Sequence, residues 1–163
     1  MDYYKKSFFK LANDPTTVNT IPQYVWDEMA RFVKLSENFI EKHINKFDIN
    51  TLTEFQKLSK PFIRKYWYTF NKDILVENQQ LSLSLIKEHW NELDITKVQK
   101  YQHLPEAFIT LNSDKLDMDL ISKHQKLSNN FIQKNIKLLN PALIAAHQTL
   151  SEKTIEKLFK SLD

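Results

Sequence analysis

The chain has 163 residues, 42% hydrophobic and 26% charged, with a net charge of +3, which allows one folded domain with a sizeable core and exerts no strong pull toward nucleic acid. It contains no cysteine, which excludes disulfides, thiolate metal sites and thiol nucleophiles. It also contains no glycine, which excludes the phosphate loops, dinucleotide fingerprints and nucleophile elbows that need a residue without Cβ.

In chain order, residues 1–12 read as an amphipathic helix, with Asn13, Asp14 and Pro15 as a break. Neither this start nor any later segment has the apolar run of a signal peptide or a membrane span, so a cytoplasmic protein with no membrane partner is expected. Residues 25–34 match the second half of a unit that then recurs in full.

That unit is 23 residues long and opens at Leu35, Leu58, Leu81, Leu104 and Leu127, with a partial sixth copy from Leu150. Its second position is Ser36, Ser59, Ser82, Pro105, Ser128 and Ser151, and its sixth is Ile40, Ile63, Ile86, Ile109, Ile132 and Ile155. A serine that accepts a bond from a first-turn N–H, preceded by an apolar residue that packs five places on, is a helix start with a hydrophobic staple. Position 13 (Phe47, Phe70, Leu93, Leu116, Leu139, Leu162) and position 14 (Asp48, Asn71, Asp94, Asp117, Asn140, Asp163) repeat this logic, with Leu52, Leu75, Val98, Ile121 and Ile144 as the stapled residues. Pro141 then falls at a first helical position and Pro61 in a first turn, where a missing N–H costs nothing. Each repeat is therefore predicted to be two short helices of about two to three turns, too short to stand alone in water and stabilised by stacking.

The predicted fold is all-α: an α-solenoid of helix pairs in 23-residue repeats. Residues 1–34 supply N-terminal cap helices, 35–149 five full repeats, and 150–163 a C-terminal half-repeat cap with a polar outer face. The pattern Leu-Ser-x-x-Phe-Ile, followed by Leu-Asp and closing on Gln-x-Leu-Ser, resembles short tandem helical repeats of bacteriophage and large DNA virus proteins. Those repeats often place tryptophan after the aspartate; here only Trp26 matches, while the full repeats carry Ile49, Lys72, Ile95, Met118 and Pro141. The resemblance implies a viral or viral-like origin and no particular reaction.

Position 22 is Gln56, Gln79, Gln102, Gln125 and Gln148. A glutamine fixed at five successive levels reads as a structural ladder, bonding carbonyls left open at a helix end or the next repeat's first turn. His43 and His89 share position 9, and His124 and His147 share position 21. Helices in neighbouring repeats lie about 10 Å apart, so these side chains are not expected to converge on a metal. Asp117 and Asp119 sit at a helix start, where the dipole favours carboxylates. No catalytic residue, cofactor or metal site is expected.

In the aromatic run RKYWYTF, residues 64–70, the register puts Trp67 and Phe70 in the core and Tyr68 in a solvent slot otherwise held by Asn45, Asn91, Asp114, Lys137 and Lys160. Positions 3, 7 and 11 are predicted to form an outward stripe, and the second and third repeats break its pattern. Their residues Lys60, Arg64, Lys65, Tyr68, Leu83 and Lys87 are the candidate binding patch. The expected function is a non-enzymatic module that binds another protein, which the viral resemblance makes a host protein to be inhibited or modulated. Nucleic acid bound by Lys60, Arg64, Lys65 and Tyr68 is the alternative, and a structural or self-assembling component a third.

Overall fold

A computed structural model describes residues 2–160, so Met1, Leu162 and Asp163, on which part of the cap and staple reading falls, lie outside the described residues. Among the described residues the chain is all-helical, with thirteen α-helices and no strand. It divides into two compact units, Met1–Gln79 and Gln80–Asp163.

The first unit opens with α1 (Asp2–Asn13) and α2 (Gln23–Phe32), followed by α3 (Glu37–Lys42), α4 (Ile49–Phe55), α5 (Lys60–Lys65) and α6 (Lys72–Asn78). α2 packs on α4, and α4 on α6. Phe8 of α1 meets Trp26 edge-on at 5.0 Å between ring centroids, and Trp26 meets Phe47 at 5.1 Å, which gives this end an aromatic core. The second unit holds α7 (Leu83–Glu88), α8 (Ile95–Tyr101), α9 (Glu106–Leu111), α10 (Met118–His124), α11 (Asn129–Lys134), α12 (Pro141–His147) and α13 (Glu152–Phe159). There α8 packs on α10, α10 on α12, and α11 on α13.

The caps form where the sequence places them. The hydroxyls of Ser36, Ser59, Ser82 and Ser128 accept from the N–H three residues on, and Asp48, Asn71, Asp94, Asp117 and Asn140 do the same for the second helices. Leu52, Leu75, Val98, Ile121 and Ile144 are fully buried, as are Ile40, Ile63, Ile86, Ile109 and Ile132. The first helices of the full repeats are shorter than the two to three turns predicted, six residues each, because a tight turn follows at once. In Ile44–Lys46, Trp67–Thr69 and Trp90–Glu92 this turn is a 3-10 helix, whose narrower winding returns the chain to the core at position 13 while keeping its N–H groups bonded, as in Lys46 N–H to His43 O at 2.8 Å.

The repeats turn their corners without glycine. Among the described residues none has positive φ. Each second helix instead leaves through an extended glutamine, such as Gln56 at φ −103 and ψ 141. That side chain reaches back 21 to 26 residues to hold the preceding corner: Gln56 Nε2 donates to Ala30 O and Val33 O, and its Oε1 accepts from Leu35 N–H at 2.9 Å. Gln79 holds Thr53 O, Gln56 O and Leu58 N–H; Gln125 holds Gln99 O, Gln102 O and Leu104 N–H; Gln148 holds Ser122 O, Gln125 O and Leu127 N–H. The ladder reading gains a direction here: the partners are the previous repeat's last carbonyls and the glutamine's own leading leucine, not the repeat that follows. The carbonyls that a left-handed cap would have satisfied are bonded by an amide.

Candidate functional site between successive first helices

The predicted patch falls in both compact units, and its residues have unlike surroundings. In the first unit, Lys60 and Arg64 on α5 are exposed, and Tyr68 in the following turn is 83% exposed. The Lys72 ammonium lies 5.9 Å from the Tyr68 ring centre and 4.9 Å from that of Trp67, which is buried with Phe70. Lys65 is bound within the fold: its ammonium meets Glu41 Oε1 at 2.6 Å and sits 5.4 Å from the Tyr66 ring centre, while Tyr66 Oη donates to the same carboxylate at 3.0 Å. The Lys65 bond, followed by that of Tyr66, holds the Glu41 carboxyl below the usual range, and Glu41 in turn raises Lys65. Lys65 thus joins α5 to α3.

Positions 3 and 7 also differ from a simple outward stripe. Glu37 accepts from Ser59 N–H and Oγ–H, Glu106 from Ser128 N–H at 2.6 Å, and Asn129 from Ser151 N–H at 2.9 Å, so in these three repeats position 3 ties a first helix to the start of the next. Leu83 occupies this position and is half-buried rather than exposed. The residue that would donate to it, at position 2 of the following repeat, is Pro105, which has no N–H, so no acceptor is needed at 83. Position 11, by contrast, is exposed at every level.

In the second unit, Lys87 is exposed and its ammonium lies 5.6 Å from the Phe108 ring centre. It borders a hollow of about 330 Å³ lined by Lys87, Trp90, Phe108, Leu111, Asn112 and Lys115. Trp90 and Phe108 meet edge-on at 5.6 Å, and Asn112 is held by a 2.8 Å bond from its Nδ2 to Phe108 O. Leu111 is 78% exposed on the rim, and no carboxylate lines the space. Two cations around an aromatic wall suit an apolar side chain with a neighbouring carboxylate.

Of the predicted residues only Lys87 belongs to this hollow. The sequence signal for the rest was position 8, where Leu111 stands in a slot otherwise filled by Lys42, Lys65, Glu88, Lys134 and Lys157. His43 and His89 are buried at position 9; among the described residues no three metal-capable side chains cluster, and no helix is long and apolar enough to cross a membrane. No family model, no curated protein and no solved structure matches the chain.

Proposed function

We propose that the chain is a non-enzymatic α-solenoid of 23-residue helix pairs, with half-repeat caps, that binds another protein. The partner places an apolar side chain flanked by Asp or Glu in the hollow beside Lys87, Trp90, Phe108 and Lys115. The observation that supports this most is Leu111, an exposed leucine in a slot that elsewhere holds charge, beside two lysines and an aromatic wall. The likeness of the repeats to those of phage and large DNA viruses is the reason for taking the partner to be a host protein.

Selecting peptides from a random displayed library on the full chain tests this. Enriched sequences should pair an aliphatic or aromatic residue with a neighbouring acid. They should lose about tenfold or more in affinity with Leu111→Glu or Lys87→Glu, and nothing with Lys137→Glu. Peptides that bind Leu111→Glu as well as the parent would place the site elsewhere.

A nucleic-acid reading draws on Lys60, Arg64 and Tyr68, exposed together on one helix and its following turn. It would show as oligonucleotide binding that falls steeply with salt and is lost in Lys60→Glu with Arg64→Glu.

A further inference from the structure

The glutamine ladder fixes an outer edge of the second helices as well as their corners. Gln125 Nε2 donates to Gln102 O at 2.8 Å and Gln148 Nε2 to Gln125 O at 2.8 Å, so the residues beside these glutamines are held level with one another on α8, α10 and α12. Position 21, just before the glutamine, is Tyr101, His124 and His147, and all three rings are exposed, Tyr101 by 53%. Lys100 and Lys123 precede the first two rings, and His103 and Lys126 stand two places after them, each exposed. The edge is a column of rings at steps of about 10 Å, the usual separation of packed helices, with basic side chains on both sides.

This edge is not a stacking face: α10 is packed on both α8 and α12, and Lys123 and His124 are exposed all the same. Its charge is one-sided. α8, α10 and α12 carry a single carboxylate, Asp119, which lies in the first turn of α10 and accepts from Asn140 Nδ2 at 3.0 Å. Among the described residues no ion pair engages Lys100, Lys123 or Lys126, and no ring–ring contact covers Tyr101, His124 or His147. In the first unit the places of Lys100 and Lys123 are taken by Glu54 and Glu77, so the mild net charge of the chain conceals a basic edge on the second unit. Lys123, His124, Lys126 and His147 also border a hollow of about 300 Å³. The His124 imidazole is held below the ordinary histidine pKa by desolvation and then by the charges of Lys123, Lys100 and His147, a sign that the cations of α8 and α10 gather around one place.

We infer that the exposed edge of α8, α10 and α12 binds single-stranded nucleic acid, with bases laid on Tyr101, His124 and His147 and phosphates held by Lys100, Lys123 and Lys126. The rings decide between anions. An acidic peptide would use the lysines and leave the flat faces bare, and a duplex keeps its bases stacked on one another, whereas a single strand offers a phosphate chain and free base faces together. The site shares no residue with the hollow beside Lys87 or with the group of Lys60, Arg64 and Tyr68, and stands or fails independently of both.

The test is fluorescence anisotropy of the full chain with a labelled single-stranded oligonucleotide of about 12 nucleotides and mixed sequence, titrated at several salt concentrations. Saturable binding is expected, the logarithm of the affinity falling with the logarithm of salt at a slope of about −2, as three phosphate contacts on a single strand give. Lys100→Gln with Lys123→Gln, both at exposed positions, should weaken binding and bring that slope to about −0.7. Tyr101→Ala should cost about tenfold and leave the slope unchanged, since a stacked base carries no charge. Lys60→Gln with Arg64→Gln should change nothing, and peptides selected for the hollow beside Lys87 should bind the Lys100→Gln, Lys123→Gln protein as they bind the parent. No binding at low salt overturns the inference. So does a duplex of the same length, or an oligoglutamate, that binds as tightly as the single strand. A loss that follows Lys60 and Arg64 in place of Lys100 and Lys123 overturns it as well.

Discussion

The joint between α3 and α5 and the joint between α7 and α9 occupy equivalent places in the sequence register and are finished differently. In the first, position 7 is Glu41 and the facing positions 8 and 9 are Lys65 and Tyr66, so one carboxylate takes an ammonium and a phenol and the surface is closed by charge. In the second, the same three places hold Lys87, Leu111 and Asn112; no ion pair bridges them, and a hollow with a cationic edge remains. The lesson is that the repeat fixes the stapled apolar residues and the glutamines and leaves position 8 to decide whether a joint is sealed or offers a surface.

The largest expected effect tests whether the two joints share a framework at all. Ile63→Ala and Ile109→Ala remove the same fully buried side chain from each and should each destabilise by about 2–5 kcal/mol in denaturant unfolding. A cost in one and none in the other would break the equivalence. Gln125→Leu comes next: it removes the partner of Leu104 N–H and of two carbonyls and should cost about 1–3 kcal/mol, the carbonyls relaxing toward water. The half-buried Gln148 should cost less on the same change, since water can reach its partners.

His43, at position 9, supplies a pH dependence. With its ring tilted against that of Phe39 at 4.7 Å between centroids and its Nε2 buried and unbonded, it is held below the ordinary histidine pKa by burial, aided by Lys42 and Lys46. Its counterpart His89 bonds Glu92 at 2.9 Å through Nδ1. The unfolded chain binds a proton at His43 more readily than the fold does, so stability rises with pH through this range and is lost as pH falls below about 6.5. His43→Leu should flatten that acid limb; an unchanged limb would assign it to other groups.

A smaller change sharpens the comparison directly. Lys87→Glu with Leu111→Lys writes the α3–α5 pair into the α7–α9 joint and should abolish selected-peptide binding while the thermal midpoint hardly moves. The smallest effect belongs to Glu41→Gln, which removes an exposed pair: midpoints of parent and variant should nearly coincide and converge further as salt is added.

Much of this architecture could be read from residue order because caps and staples are local. A serine or aspartate between an apolar residue and its partner five places on states a helix start without reference to the rest of the chain, and each such start among the full repeats carries its helix, even at Pro105, where no side chain caps it. Helix length was less legible, since the tight turn after each six-residue helix depends on how position 13 returns to the core. The binding surface was least legible. A stripe drawn from one helix's periodicity treats positions 3 and 7 as solvent, whereas Glu37, Glu41, Glu106, Asn129 and Gln133 face the following first helix and spend their polar groups there. Lys65 is tied to Glu41, and Leu111, at the same position 8, stands in the fourth repeat, beyond the second and third repeats to which the predicted patch was confined.

The reach of the glutamines sets an order of assembly. Each corner is closed by a residue 21 to 26 places further on, so its span is the same at every level however many repeats precede it. Contacts of constant separation keep the relative contact order low as an array lengthens, which favours fast folding over the slow search of a long-range topology. On the ribosome the chain emerges from its N-terminus, so a repeat's outgoing corner stays unlatched until the next glutamine leaves the exit tunnel and fastens it. Synthesis and folding then advance together, one latch for every 23 residues made.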